Sequence, residues 1–375
     1  METELADLKA YHQPYYVIAA VDLVLWPLLL ILGARFLTRP LFSLASRVRF
    51  RSRVMERVWG DDSWAPTVVF ALLYFGVFAV LTIPLEWWTW AHERAFGMSV
   101  ESPGSFAFDS LKAHVALVIA VSALAFGLFG IARRTPKWWW LVGIATSLLL
   151  VVSVALDPYK AALYVDQEPL PAGPLRTQLT DVLARAQVPF GEIVVVNTSK
   201  KTVRVQAAFA GTGPTRTILL TDTLLSSMTE SEIVAAVAHE AGHVSESKWP
   251  GRIFTPLCVV ALLFFIEVLF RRSAARGWFG ITARADVRVL PLVLLTFDLL
   301  MSAAAPISGA FSRERELAAD RFAISLTGDR ASLSSLLTKL GQINKTDPDP
   351  PRWYVLSGVS HPTIRERVER IEAAP

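Results

Sequence analysis

Several scarcities bound this 375-residue chain before any motif is considered. Cys258 is the only cysteine, so an internal disulfide and a cysteine-based metal site are both excluded. Charged residues make up only 19% of the chain, 53% is hydrophobic and twelve residues are tryptophan, which argues against an ordinary water-soluble globule. The residues ahead of the first apolar run lack the basic cluster of a secretory leader: Glu2, Glu4 and Asp7 stand against Lys9, so that run is expected to be retained. Internal repeats and low-complexity tracts are also missing from the sequence.

What is abundant is long apolar sequence. Six runs, Tyr16–Phe36, Val68–Leu85, Ala113–Ala132, Trp138–Leu156, Phe254–Phe270 and Val289–Ile307, approach the roughly 17–25 residues that cross a bilayer as helix. Phe254–Phe270 is the shortest, and Val289–Ile307 contains Pro291 and Asp298. The intervening Pro40–Val58 is too rich in arginine to cross unaided. Trp138–Trp140 and Trp87, Trp88 and Trp90 read as interfacial belts. The expectation is a polytopic α-helical membrane protein with about six spans.

The formal charge of +4 is a topological signal and does not point to nucleic acid. Basic residues cluster in three connections: Arg35, Arg39, Arg47, Arg49, Arg51, Arg53 and Arg57; Arg133, Arg134 and Lys137; and Arg271, Arg272, Arg276, Arg284 and Arg288. Glu86 to Lys112 has only Arg94 and Lys112 beside four acidic residues. Counted alternately, the basic connections share one side, which the positive-inside rule makes cytoplasmic. Both termini and the segment 158–253 then face away from the cytoplasm. The chain divides into a four-span membrane region (1–157), a segment of short strands (158–253), a membrane hairpin (254–307) and a polar C-terminal segment (308–375). Within the second, Leu175–Ala186 has helical periodicity, and Glu192–Asn197, Thr202–Phe209 and Arg216–Thr221 read as strands.

That second segment ends in His239-Glu240-Ala241-Gly242-His243, inside a helix-patterned run that opens with the capping-box sequence Thr229-Glu230-Ser231-Glu232. Histidines four apart lie on one helical face and can share an ion, while Glu240 is displaced to hold a water. This is the pattern of a zinc peptidase with one open position and an adjacent general base. A third protein ligand is required, and the Gly and His that metzincins place just downstream are absent from Val244–Trp249. The best candidate is in Arg313-Glu314-Arg315-Glu316-Leu317-Ala318-Ala319-Asp320, where Glu316 and Asp320 share a face. Glu316 could complete a His-His-Glu set, and Asp320 could accept the free N–H of a ligand histidine. A solvated charged helix start is the plainer reading of those residues on their own.

These motifs resemble the CAAX prenyl protease 1 family of integral membrane zinc metallopeptidases. The resemblance rests on Glu232 through His243; on Arg313, Glu316, Ala319 and Asp320 as R-x-x-E-x-x-A-D; on Arg216–Leu225; on Ser360-His361-Pro362 with Arg367; and on Glu93–Gly97 with Asp109 and Lys112. It implies spans arranged around a chamber and an α+β gluzincin-type protease domain. One Zn2+ per chain would be held by His239, His243 and Glu316, with Glu240 as base and Asp320 and Arg313 supporting the ligands. His361 would act near the reacting carbonyl. Thr202–Phe209 would be an edge strand that pairs with an extended substrate, bringing Gln206, Ala207, Ala208 and Phe209 to it. The family commonly has Asn where this chain has Gln206, and its eukaryotic members have seven spans with a cytosolic catalytic face. Within the last two spans, Glu267 either lines a wet chamber or snorkels to the interface, and Asp298 is expected in a cavity or hydrogen-bonded.

The resulting expectation is a membrane zinc endopeptidase whose partners are a peptide or protein substrate and the lipid bilayer, with no nucleic acid. A quality-control protease of the HtpX type is the second reading. A scaffold or transporter with a structural metal site is the third, disfavoured by Glu240, for which such a site has no use.

Overall fold

The six apolar runs all form helix in the computed structural model, which describes residues 2–48, 50, 52–59, 63–155, 166–246, 249–281 and 283–373. Leu156, Arg49 and Arg51 lie outside the described residues. In chain order the membrane region comprises α1 (Glu2–Leu32), α2 (Thr38–Ala45), α3 (Arg53–Trp59), α4 (Trp64–Ala95), α5 (Pro103–Arg134) and α6 (Trp138–Ala155). A π-helical turn, Gly33–Leu37, joins α1 to α2. Gly33 is there because a Cβ would stand 2.7 Å from the Tyr74 hydroxyl of α4.

Four stretches among the described residues are long and apolar enough to cross a bilayer: Asp7–Ala45, Trp64–Ala95, Pro103–Arg134 and Val287–Thr327. The apolar helix at Trp138–Leu149 is shorter. Its packing partner, α10 (Trp249–Arg276), carries Glu267, Arg271 and Arg272 in its second half. Side chains such as Leu23, Leu124 and Leu149 stand more than 60% exposed on these helices, an outer surface suited to lipid and unsuited to water.

The two ends of the bundle differ in chemistry. At one end the basic connections meet: Arg134 donates to Arg57 O, Arg133 to Ala285 O, and Arg288 lies over the Phe42 ring. Glu267 is buried at this end. Its carboxylate accepts from Trp138 Nε1 (2.7 Å), Arg271 Nε (2.6 Å) and Arg284 Nη2 (2.6 Å). It therefore ties α6, α10 and the following loop together and neither snorkels nor faces a chamber. Asp298 is half-buried, and its Oδ2 has no hydrogen-bond partner among the described residues.

The other end carries the remaining polar sequence. A four-stranded sheet of order β1-β2-β4-β3 is formed by β1 (Gln167–Pro169), β2 (Glu192–Val196), β3 (Ala207–Ala210) and β4 (Thr217–Thr221). β2 and β4 run parallel, and both outer strands are antiparallel to them. Helices α7 (Pro174–Arg185), α8 (Asp222–Ser227), α9 (Glu230–Ser245) and α12 (Arg330–Ile343) close a core of Leu179, Leu183, Ile193, Ile218, Leu220, Val237, Leu333 and Leu336. The chain ends in α13 (Arg352–Leu356) and α14 (Ile364–Glu372).

The strand expected over Thr202–Phe209 is shorter than its apolar pattern suggests. Residues 202–205 turn away to other partners: Thr202 bridges Ser99, Val203 N–H donates to Met98 O, and the Asn344 side chain satisfies both the N–H and the C=O of Val205. The same contacts fasten the α4–α5 turn to the segment that carries the sheet. Arg204 bonds Glu93 (2.9 Å), while Asp109 pairs with Lys112 (2.6 Å) and with Lys201. The start of α1 joins them through Asp7–Lys345 (2.6 Å) and Tyr16–Asp347 (2.6 Å).

Candidate metal centre

The site is built on α9 and on α11 (Leu290–Thr327), a single helix that leaves the membrane bundle and crosses α9. The capping box fixes where α9 begins: Thr229 Oγ1 accepts from Glu232 N–H (3.3 Å) and Glu232 Oε2 from Thr229 N–H (2.8 Å). Glu232 also accepts from Ser335 Oγ (2.6 Å) and Lys339 Nζ (2.9 Å). Burial opposes its charge, but these partners prevail and hold its pKa down to about 2. The crossing is close because residue 242 is glycine; a Cβ there would lie 2.8 Å from Ala319 Cα.

At this crossing His239 and His243 present their Nε2 atoms to one carboxylate. His239 Nε2 lies 3.4 Å from Glu316 Oε2, and His243 Nε2 lies 3.2 Å from Glu316 Oε1. One donor atom from each of the three residues falls within 4.8 Å of the others. Tetrahedral zinc with bonds of about 2.1 Å spaces its ligand atoms about 3.4 Å apart, so the donor set fits such an ion. Glu316 is buried; burial resists its ionisation, but His239 and His243 hold it well below the usual carboxylate range. Burial likewise disfavours protonated His239, yet Asp320 and Glu316 outweigh it and raise its pKa to about 9. A metal ion held at Nε2 would take the place of that proton.

Asp320 Oδ1 accepts from His239 Nδ1 at 2.9 Å, which leaves Nε2 to face Glu316. Arg367, from α14, grips Asp320 with two donors, Nε to Oδ2 (2.8 Å) and Nη2 to Oδ1 (2.6 Å), and its Nη1 lies 3.4 Å from Glu316 Oε2. In the sequence Arg367 stands only as part of the motif with Ser360-His361-Pro362, with no role of its own. Its signal was present: Arg367 and Ile371 occupy the buried face of an otherwise charged helix.

Glu240 sits beside the ligand pair, half-buried, and burial raises its pKa although His239 and His243 counteract. His361 is exposed, with Nε2 3.5 Å from Glu316 Oε1 and Nδ1 2.8 Å from Ser360 Oγ. Arg313 reaches past the ligands and donates to Val355 O (3.3 Å) and Val359 O (2.8 Å), holding the segment that delivers His361. Ala207, Ala208 and Phe209 lie in β3, the edge of the sheet beside α9. Gln206 precedes the strand, and its backbone is bonded to Thr221 through both the main chain and Oγ1.

Comparison with known proteins agrees with this geometry. The sequence pattern of peptidase family M48 matches residues 169–374. The uncharacterized metalloprotease YhfN of Bacillus subtilis (strain 168) is 30% identical over 315 residues, covering 82% of this chain and 73% of YhfN. A CAAX prenyl protease 1 homolog of Caenorhabditis elegans is 26% identical over 355 residues, covering 84% and 79% of the two chains. The crystal structure of S. mikatae Ste24p superposes with a TM-score of 0.83 at 22% identity, covering 99% of this chain and 89% of that one. These matches extend beyond the polar segments into the membrane region.

Proposed function

Since the chain belongs to peptidase family M48, we propose that it cleaves peptide bonds with a single Zn2+ held by His239, His243 and Glu316 and with Glu240 as the general base. It is an integral membrane metalloendopeptidase with homologues among the CAAX prenyl proteases. The observation that carries the assignment is the convergence of three donor atoms with the half-buried carboxylate of Glu240 beside them.

An ion in this set supplies an acidified water and polarises the scissile carbonyl. The remaining work belongs to the protein. Glu240, its pKa raised by burial, takes the proton of the attacking water and delivers it to the leaving amine. Asp320 fixes His239 in the tautomer that leaves Nε2 free, and Arg367 fixes Asp320. β3 offers its outer edge to an extended peptide, so that Ala207, Ala208 and Phe209 align the backbone to be cut. His361, exposed and with its Nε2 3.5 Å from Glu316 Oε1, donates to the oxygen that gains charge. Asn344, by satisfying the backbone of Val205, keeps residues ahead of the strand out of that edge, which spans Ala207–Ala210.

Two chemistries of substrate fit an M48 membrane protease, a prenylated or otherwise membrane-tethered peptide and an unfolded membrane protein. Sidedness favours the second for this chain: the basic connections gather at the end of the bundle away from the site, which the positive-inside rule makes cytoplasmic. The catalytic face is then non-cytoplasmic, whereas prenylated proteins are cytosolic.

Glu240→Gln should retain one zinc per chain and lose at least about 10²-fold in peptidase rate, the usual worth of a general base. Glu316→Ala should lose the zinc. Chelation should stop cleavage in the wild type and Zn2+ should restore it. A Glu240→Gln protein that cleaves at the wild-type rate, or a Glu316→Ala protein with full zinc, would overturn the assignment.

A further inference from the structure

His239 has a carboxylate on its Nδ1, and the structure places a second carboxylate against the Nδ1 of His243. α9 ends at Ser245, and Glu246 adopts an extended backbone (φ −63°, ψ 148°) that leaves the helix. Its side chain folds back over the preceding turn. Oε1 comes to 3.4 Å from His243 Nδ1; both atoms are buried, and neither has a hydrogen-bond partner among the described residues, so each is the nearest polar group offered to the other. Oε2 is held at 2.5 Å by Arg315 Nε. Arg315 neighbours Glu316 in α11, so the helix that supplies the third metal donor also supplies the anchor for Glu246.

A neutral imidazole has one N–H, and a partner for that N–H decides which nitrogen keeps the lone pair. At His239 the arrangement is Arg367–Asp320–Nδ1, with Nε2 towards Glu316. At His243 it is Arg315–Glu246–Nδ1, with Nε2 towards the other oxygen of Glu316. The two arrangements have the same three parts, a guanidinium, a carboxylate and the Nδ1 of a ligand; the first is buried, closed at 2.9 Å and held by a forked arginine, and the second lies at the rim at 3.4 Å with a single arginine donor. We propose that Glu246, held by Arg315, is a positioning residue that keeps His243 in its Nδ1–H tautomer and thereby sets the affinity of the site for its metal. The proposal rests on His243 being a ligand. It adds a residue that the HExxH spacing does not contain.

The test uses the full-length protein in lipid or detergent, stripped of metal and titrated with Zn2+ against a chromophoric chelator. Glu246→Ala should weaken Zn2+ binding about 10- to 100-fold, the range expected for an outer partner of a ligand histidine. Glu246→Gln keeps an oxygen acceptor and should recover most of that loss, and Arg315→Ala should fall between the two. The visible spectrum of the Co2+-loaded protein should shift in Glu246→Ala and return in Glu246→Gln. A purely structural role would lower the unfolding temperature of the metal-free protein in all three variants and give no rescue pattern, and this outcome would overturn the proposal. Equal Zn2+ affinity in Glu246→Ala and wild type, alongside loss of binding in His243→Ala, would overturn it while leaving the metal site intact. Undiminished binding in His243→Ala would remove the ligand assignment and the proposal together. If Glu246→Ala does not fold, Glu246→Gln and Arg315→Ala decide: affinity unchanged in Arg315→Ala overturns the proposal.

Discussion

At the scale of single residues, the decisive contacts are charged groups that each depend on another. Asp320 is 3% exposed and tolerable there only because Arg367 and His239 occupy its oxygens. Arg367→Ala removes the forked donor and leaves a buried carboxylate paired with one imidazole. Breaking such a pair costs about 3–5 kcal/mol, so the metal-free variant should unfold at a markedly lower temperature than wild type. Arg367→Lys retains the charge without the fork and should lie between them. A calorimetric scan in chelator checks this, and an Arg367→Ala protein as stable as wild type would mean that Asp320 is satisfied in some other way. The same residues show what the sequence could and could not disclose. His239 with His243, and Glu316 with Asp320, are legible as pairs because helical spacing places i and i+4 on one face, while joining the two pairs rests on the need for a third ligand and on the family resemblance. Arg367 is separated from His239 by 128 positions, and although its spacing from Ile371 hints at an inward face, nothing in a charged nine-residue helix says which carboxylate of another helix that arginine meets. Glu246 is near in sequence, but its contact depends on the chain leaving the helix at that residue.

At the scale of elements, α9 is positioned from both ends, by its cap and by its crossing with α11. The capping box was readable from Thr229 and Glu232, whereas the clamp on Glu232 from Ser335 and Lys339 of α12 was not, since it depends on a packing one hundred residues downstream. β1 escaped notice because Gln-Glu-Pro has no apolar alternation, and the expected strand 202–209 lost its first half because Asn344 and the α4–α5 turn claim that backbone. The clamp has a pH signature. The pKa of Glu232 is depressed from 4.5 in the unfolded chain to about 2 in the fold. Its contribution is therefore complete above pH 4.5 and is lost as the pH falls from there to about 2. The difference in melting temperature between wild type and Glu232→Gln should be constant above that window and shrink within it. A difference that instead grows on acidification would contradict the ionised clamp.

At the scale of the whole molecule, the arrangement of ends constrains topology more firmly than any count of apolar runs. Lys345 and Asp347, in the C-terminal segment, touch Asp7 and Tyr16 near the start of α1, so both lie at the same end of the bundle. The number of passes between them must be even. Four crossings and six both satisfy this: among the described residues four helices have the length and hydropathy to cross, and α6 and α10 pack against each other as a further pair. Arg284 explains how that pair is held, because it bonds Glu267 on α10 and the backbone of Ala132 and Thr135 where α5 passes into α6. With the arginine-rich connections at that end, the proposed inward placement of positive charge would put the HExxH helix on the far side of the membrane from the cytoplasm. A reporter enzyme active only outside the cytoplasm should therefore work when fused to the C-terminus and be silent when inserted between Arg134 and Lys137. A silent C-terminal fusion paired with an active loop insertion, in protein confirmed as membrane-inserted, would invert the molecule. It would also restore cytosolic, prenylated peptides as the expected substrates, because orientation decides which substrates can reach the edge of β3.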